Sequence, residues 1–213
     1  MFSVLSSTDR PSMKRARFRV SKFMRRLGRA VLSATRSSIC RTTGALEELS
    51  EKILNFGGRV TVAPLDLTNQ LHTQLFCKTI YEKFGKIDIF IHSAFLAIPM
   101  APIETISEND IVKYFKSNTF LTQRLIKLVH PLLKKQKDSI AVFISDNTKK
   151  ANKKFLGVHN AIQAANKEIV LSYSEENQRI GPKVLLFEPL PMPTKTRSIM
   201  FPGENKKKLS SCK

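Results

Sequence analysis

Glycine, cysteine and tryptophan are scarce in this chain of 213 residues, which contains eight glycines, three cysteines and no tryptophan. The cysteines, Cys40, Cys77 and Cys212, are odd in number and lack the spacing of metal ligands, which argues against a disulfide framework and favours a reducing compartment. No apolar run approaches the ~20 residues that a membrane-spanning helix requires. We therefore expect neither a metal site nor a membrane partner.

The basic charge lies at the two ends of the chain. Residues 1–41 carry eleven basic side chains against one acid, and residues 195–213 carry six against one, within a formal net charge of +19. We therefore predict an irregular Arg/Ser-rich leader over 1–41, one domain over 42–194 and a basic tail over 195–213. No nucleic-acid-binding motif accompanies the basic ends, so we expect no nucleic-acid partner. A cytoplasmic location is expected, with a mitochondrial one as the alternative because transit peptides share the leader's composition.

Helical and strand patterns alternate between Thr43 and Thr194. Strands are predicted near 59–68, 86–94, 139–145 and 183–188, and helices near 44–55, 69–84, 108–132 and 157–177. Parallel strands joined through helices require crossover connections, and right-handed crossovers build a sheet covered on both faces. The pattern therefore predicts an α/β fold with a doubly wound parallel sheet.

Two of the predicted helices carry apolar stripes at helical spacing. In the helix over 69–84, the apolar residues available for one face are Leu71, Leu75, Ile80 and Phe84. In the following helix they are Leu121, Leu125, Leu128 and Leu132. Each stripe predicts a face that packs against other apolar groups.

Five local segments, in order, resemble the short-chain dehydrogenase/reductase family. They read VAPLDLT, FGKIDIFIHSA, SNTFLTQRL, AVFIS followed by GVHNAIQAANKE, and VLLFEPLPMPTKTR. Together they cover most of residues 41–202. The resemblance implies a Rossmann-like fold and an NAD(P)-dependent oxidoreductase.

The resemblance also implies where a dinucleotide would lie. Asp66 matches the residue that contacts the adenine, Ser93 falls in the segment that normally reads Asn-Asn-Ala-Gly, and Thr194 falls in the loop beside the nicotinamide. Arg41 follows an apparent remnant of the second strand and matches the Arg that neutralises the 2′-phosphate of NADP(H); the alternative is that it merely belongs to the leader. NADP(H) is therefore the cofactor expected, if any is bound. Phe95 stands at the glycine position of Asn-Asn-Ala-Gly, directly after the second segment, where the family keeps the floor of the cofactor groove open.

The catalytic positions implied by the family are largely substituted. His159 stands at the position of the catalytic Tyr and Gln163 at that of the Lys, four residues later. The Ser position falls on Asp146, with Ser145 adjacent, whereas Asn118 matches the helix-four asparagine. Histidine is a common acid/base residue, so a reductase that uses His159 with Ser145 or Asp146 is an alternative to loss of activity.

The beginning of the fold is missing from the pattern. No three glycines have the spacing Gly-x-x-x-Gly-x-Gly that lets a backbone approach a pyrophosphate. Gly28, in LGRAV, resembles the end of that motif, but no apolar strand precedes it. We therefore predict a sheet that lacks a normal first strand and Gly-rich turn. Residues 1–40 are either an out-of-frame product, the hypothesis that we favour, or a genuine basic extension.

Three functions follow as hypotheses. The first is a catalytically impaired or inactive short-chain oxidoreductase, that is, a pseudoenzyme. The second is an active NADP(H)-dependent carbonyl reductase or alcohol dehydrogenase that uses His159. The third is a non-catalytic subunit that forms homo-oligomers, or pairs with an intact relative, through the helices near 110–135 and 157–178.

Overall fold

The predicted alternation of strands and helices is present in the structure. The computed structural model describes residues 35–40, 43–55, 57, 59–146 and 154–210. Its strands are β1 (Thr35–Cys40), β2 (Arg59–Pro64), β3 (Ile89–His92), β4 (Ile140–Ile144) and β5 (Lys183–Phe187). Its α-helices are α1 (Thr43–Asn55), α2 (Gln70–Phe84), α3 (Glu108–Phe115), α4 (Leu121–Lys134), α5 (Gly157–Glu176) and α6 (Lys195–Met200).

The strands form two hydrogen-bonded sets. β1 runs parallel to β2, with Thr35 opposite Arg59 and Cys40 opposite Pro64, and the other set has the order β3-β4-β5. β1 thus corresponds to the strand remnant predicted before Arg41. Within the described ranges, no strand belongs to both sets, and the segment in which a first strand was predicted to be lacking lies outside those ranges. Arg41, the residue predicted to neutralise the 2′-phosphate, and Gly28, which resembles the end of the glycine motif, lie outside the described residues, as do 1–34 of the predicted leader.

The chain divides into two compact units. One contains the described residues up to Ile91 together with 127–141 and 177–183, and the other contains 92–126, the described part of 142–176, and 184–210. The buried apolar residues of the first unit include Ile53, Phe76 and Leu133. The second has a core that includes Ile98, Val158 and Ile162. All the predicted catalytic residues belong to the second unit.

Side-chain and glycine caps set the ends of α2. Asn69 precedes the helix, and its side-chain oxygen accepts a hydrogen bond from the backbone N–H of His72 at 3.1 Å. Gly85 ends it in the left-handed conformation, with φ of 71°, and its N–H donates to the carbonyl of Tyr81 at 2.8 Å. Both caps satisfy backbone groups that a helix end otherwise leaves unpaired.

The buried face of α2 differs from the predicted one. Ile80 is buried as predicted, but Leu71 and Leu75 are 61% and 51% exposed. The residues that α2 buries are Thr73, Phe76, Cys77 and Ile80. The prediction was wrong for the two leucines because apolar residues at i and i+4 define two possible faces, and the larger Phe76 ring occupies the core.

The apolar stripe of α4 is largely used within the chain. Leu121, Leu125 and Leu132 are buried, and Leu128 is half-buried. The stripe therefore stabilises the fold of the chain itself.

Candidate functional site

The candidate site lies where β3 and β4 end and α5 begins. Ser145 and Asp146 follow β4 directly, and α5 carries His159 and Gln163 one turn apart. Because side chains at i and i+4 lie on the same helical face, both residues of α5 can approach the end of β4. His159 is 3% exposed and Gln163 is 8% exposed. The structure thus brings together four of the five predicted catalytic positions.

Gln163 and Ser145 are bonded to each other. The Gln163 side-chain oxygen accepts a hydrogen bond from the Ser145 hydroxyl at 3.2 Å and a longer one from the backbone N–H of Asp146 at 3.5 Å. A lysine at this position would be a donor, whereas the amide oxygen acts as an acceptor. The substitution therefore reverses the hydrogen-bonding polarity of the position.

His159 and Asp146 form the second contact of the site. His159 Nε2 lies 3.5 Å from Asp146 Oδ2, and His159 Nδ1 is buried without a hydrogen-bond partner in the described structure. The ring of Phe95 lies edge-on to the imidazole, with the ring centroids 5.4 Å apart and the planes at 79°. The imidazole is therefore enclosed by an aromatic ring on one side and reaches a carboxylate on another.

Asn118 has a structural environment. It lies in a π-helical turn, Lys116–Phe120, between α3 and α4. Its side-chain oxygen accepts from the N–H of Leu96 at 2.7 Å, and its amide donates to the carbonyls of Tyr114 at 3.0 Å and Leu96 at 3.3 Å. These bonds occupy the carboxamide and fasten the chain segment after Phe95 to the helix.

A second buried pair, His92 and Thr122, extends this network. The Thr122 hydroxyl donates to the carbonyl of Asn118 at 2.8 Å and lies 3.1 Å from His92 Nε2. Since a hydroxyl has one proton, it must accept a hydrogen bond from His92, which fixes the proton on Nε2. Burial lowers the pKa of His92 to about 3, so this imidazole is neutral at physiological pH.

Two of the residues predicted to contact a cofactor, Asp66 and Thr194, form local turn and cap contacts. The Asp66 carboxylate accepts from the N–H of Thr68 at 2.9 Å and from its hydroxyl at 2.8 Å. The Thr194 hydroxyl accepts from the N–H of Arg197 at 3.2 Å and so caps α6. Ser93 is exposed. These contacts assign local turn and cap roles to Asp66 and Thr194.

Two ion pairs near the site were not predicted from the sequence. Lys167 Nζ lies 3.0 Å from Glu188 Oε1, and Arg197 donates to both carboxylate oxygens of Glu204 at 2.5 and 2.6 Å. The hydrogen bonds from Arg197 lower the pKa of Glu204. Lys167 lies four residues after Gln163, and this spacing was a signal that it shares the inward face of α5. The Arg197–Glu204 pair gives no such signal because it spans an irregular segment.

The residues present do not fit the ribose–nicotinamide end of NADP(H). The Lys position offers no ammonium, and the Gln163 oxygen already accepts two hydrogen bonds. The Tyr position offers a buried imidazole in place of a phenol, with the ring of Phe95 in T-shaped contact with it. The described ranges also contain no cluster of three or more His, Cys, Asp or Glu side chains that could hold a metal ion. None of their helices has the length and apolarity needed to cross a bilayer.

Comparison with known sequences gives a consistent family assignment. The short chain dehydrogenase family matches residues 24–204. An oxidoreductase of Schizosaccharomyces pombe is 25% identical over 143 residues, which are 67% of this chain and 60% of that protein. An oxidoreductase of Botryotinia fuckeliana is 27% identical over 169 residues, which are 78% of this chain and 61% of that protein. The chain thus spans less than two thirds of the length of these relatives.

Solved structures show the same fold. A short chain dehydrogenase from Pseudomonas syringae is 21% identical, with a TM-score of 0.76 over 82% of this chain and 72% of that one. An alcohol dehydrogenase from the archaeon Thermococcus sibiricus, solved with 5-hydroxy-NADP, is 20% identical, with a TM-score of 0.74 over 86% of this chain and 78% of that one. The extent of the family match and the shared Rossmann-like fold show that the chain belongs to the short chain dehydrogenase family.

Proposed function

We propose that this chain is a short-chain oxidoreductase relative that is catalytically impaired or inactive. The observation that carries the proposal is the bonding of Gln163. At the position where the family places a lysine, the amide oxygen accepts hydrogen bonds from Ser145 and Asp146 and supplies no positive charge. Because a positioned acid or base contributes roughly 10²–10⁴ in rate, loss of both the phenol and the ammonium leaves little proton transfer.

The fate of the serine position supports the same proposal. In the family, the serine hydroxyl orients the carbonyl oxygen of the substrate. In this chain the Ser position falls on Asp146, and the adjacent Ser145 hydroxyl is buried and donates to the Gln163 oxygen at 3.2 Å, with the carbonyl of Asp146 as a longer acceptor at 3.5 Å. A substrate carbonyl would have to displace this internal acceptor before it could receive a hydrogen bond.

The test is a titration of the purified chain with NADPH, followed by nucleotide fluorescence and by thermal shift. We expect no saturable binding at micromolar nucleotide and no oxidation of NADPH when aldehydes or ketones are added. Micromolar binding together with carbonyl reduction would refute the proposal.

A second candidate is a slow reductase in which His159 is the acid/base residue. The contact that favours it is the 3.5 Å approach of His159 Nε2 to Asp146 Oδ2, since a carboxylate can orient an imidazole. If the wild type is found to oxidise NADPH with a carbonyl substrate, His159→Gln is expected to abolish this turnover. Asn160→Ala, on the same helix, is expected to leave it in place. Turnover that survives His159→Gln would eliminate this candidate.

A third candidate is a self-associating or partner-binding subunit. Two large apolar side chains, Val112 in α3 and Phe120 in the π-helical turn that follows it, are 42% and 54% exposed. Light scattering on the purified chain tests it: a dimer that dissociates in Val112→Lys/Phe120→Lys supports the candidate, and a monomer contradicts self-association.

A further inference from the structure

We propose that the ring of Phe95 occludes a position beside His159 that a planar heteroaromatic ring of a ligand would otherwise occupy. We call this position the seat and Phe95 the plug. The inference rests on the proposed function, since a working dinucleotide site would need this seat to be open. It adds a specific cause of occlusion and the class of ligand that removing Phe95 would admit.

The ring of Phe95 is held on the site by apolar packing. It lies edge-on to His159, at 5.4 Å between centroids, and packs against the buried cluster of Ile98, Val158 and Ile162. Edge-to-face pairs of this kind add about 0.5–1.5 kcal/mol to the burial of an aromatic side chain. The packing therefore holds the ring in contact with the imidazole.

The backbone beside the ring is also fastened. Leu96 donates to the Asn118 side-chain oxygen at 2.7 Å, and its carbonyl accepts from the Asn118 amide at 3.3 Å. Phe95 cannot swing away with its backbone unless both bonds break. Asn118 is buried, so these bonds are shielded from competing water.

The covered imidazole has an unmet hydrogen bond. His159 is 3% exposed, and its Nδ1 has no partner in the described structure. A buried polar atom without a partner costs about 1–3 kcal/mol. A phenyl ring cannot supply a hydrogen bond, whereas a planar heterocycle that carries an amide, bound in place of this ring, has both a donor and an acceptor to offer the imidazole. Nicotinamide is the simplest probe of this class.

The experiment compares Phe95→Ala with Phe115→Ala. Phe115 is a matched control because it is also a partly buried ring packed against the cluster of Ile98, Val158 and Ile162. Diethyl pyrocarbonate modification of His159 is followed by mass spectrometry of its peptide, and nicotinamide binding is followed by ligand-observed NMR.

In Phe95→Ala, the modification rate of His159 should rise by about tenfold or more, which corresponds to local access that is easier by about 1.4 kcal/mol. Nicotinamide should bind to this variant and not to the wild type or to Phe115→Ala. Equal modification in all three proteins, or no nicotinamide binding to Phe95→Ala, would refute the plug.

Two further measurements distinguish failure of the plug from misfolding of the variant and from failure of the proposed function. If Phe95→Ala loses its cooperative unfolding transition, Phe95→Leu retains apolar bulk without the ring and should give an intermediate rise in His159 modification; an unchanged rate in that variant would also refute the plug. NADPH oxidation by the wild type is measured in parallel, since its presence would refute the proposed function directly, whereas failure of the plug appears in the accessibility of His159.

Discussion

The Ser145 hydroxyl points its proton at the side-chain oxygen of Gln163, 3.2 Å away, where both groups are buried. In a site built for carbonyl chemistry this proton would be directed at a ligand. The bond joins Gln163, at the predicted Lys position, to Ser145, which is adjacent to the predicted Ser position, and it contributes to the stability of the fold.

Removing either member of this pair should destabilise the chain, and removing both should cost less than the sum. Gln163→Leu leaves the Ser145 hydroxyl without its acceptor, and Ser145→Ala leaves the amide oxygen without that donor, at about 1–3 kcal/mol each. Urea unfolding of the two single variants and the double variant measures the coupling. Gln74→Ala, on the exposed face of α2, is the control and should change little. Strict additivity in the cycle would show that the bond is not formed in solution.

The buried His92 predicts a dependence of stability on acid. Burial lowers the pKa of His92 to about 3 in the folded chain, while an unfolded histidine titrates near ~6.5. Between these values the unfolded state binds the extra proton, so stability is complete above about pH 6.5 and falls as the pH falls toward 3. The loss approaches roughly 1.4 kcal/mol per pH unit within this window.

The measurement is the free energy of unfolding between pH 4 and pH 7 in the wild type and in His92→Gln. The variant lacks the titrating imidazole, so its curve should be flatter by most of that slope. His72→Gln, on the exposed surface of α2, serves as the control. Parallel curves for the wild type and His92→Gln would contradict the assignment of His92 as a neutral, buried group.

The Arg197–Glu204 pair should order α6 without adding much to global stability. The hydrogen bonds that Arg197 donates to Glu204 raise the pKa of Arg197, but both side chains remain partly exposed, and such pairs contribute about 0.2–1 kcal/mol. In Glu204→Gln we expect faster amide exchange over 194–201 and an unchanged unfolding midpoint. Lys207→Gln in the same tail is the control for loss of one charge. Exchange in Glu204→Gln that matches the wild type would mean that the Thr194 cap suffices to hold α6.

The strand and helix order was predictable because its signals are local. The run SIAVFIS and the spacing within LTQRLIKLVHPLL determine β4 and α4 by themselves. The sequence predicted β1 only as a strand remnant, because TRSSIC is largely polar. Its strand conformation depends on parallel pairing with Arg59–Pro64, which lies far along the chain. Tertiary pairing of this kind leaves little trace in a short sequence window.

The location of the site was predictable, but the bonding within it was not. The positions of Ser145, His159 and Gln163 follow from their places after β4 and along α5. Whether Gln163 donates to a ligand or accepts from Ser145 depends on the orientation of its amide, which spacing does not encode. The covering of His159 by Phe95 likewise depends on the bonds between Asn118 and Leu96, which only the folded chain brings together.

The face that α2 buries differs in part from the predicted one, and this difference can be tested. From the sequence, Leu75 belongs to the core; in the structure it is 51% exposed, while its neighbour Phe76 is buried. Leu75→Lys should therefore change the free energy of unfolding by no more than about 0.5 kcal/mol, as exposed substitutions do. Phe76→Ala should cost about 3–5 kcal/mol because it removes a buried ring and leaves a cavity. Urea unfolding of the two variants decides the matter, and a Leu75→Lys variant that is as damaged as Phe76→Ala would place the leucine in the core and overturn the assigned register of the helix.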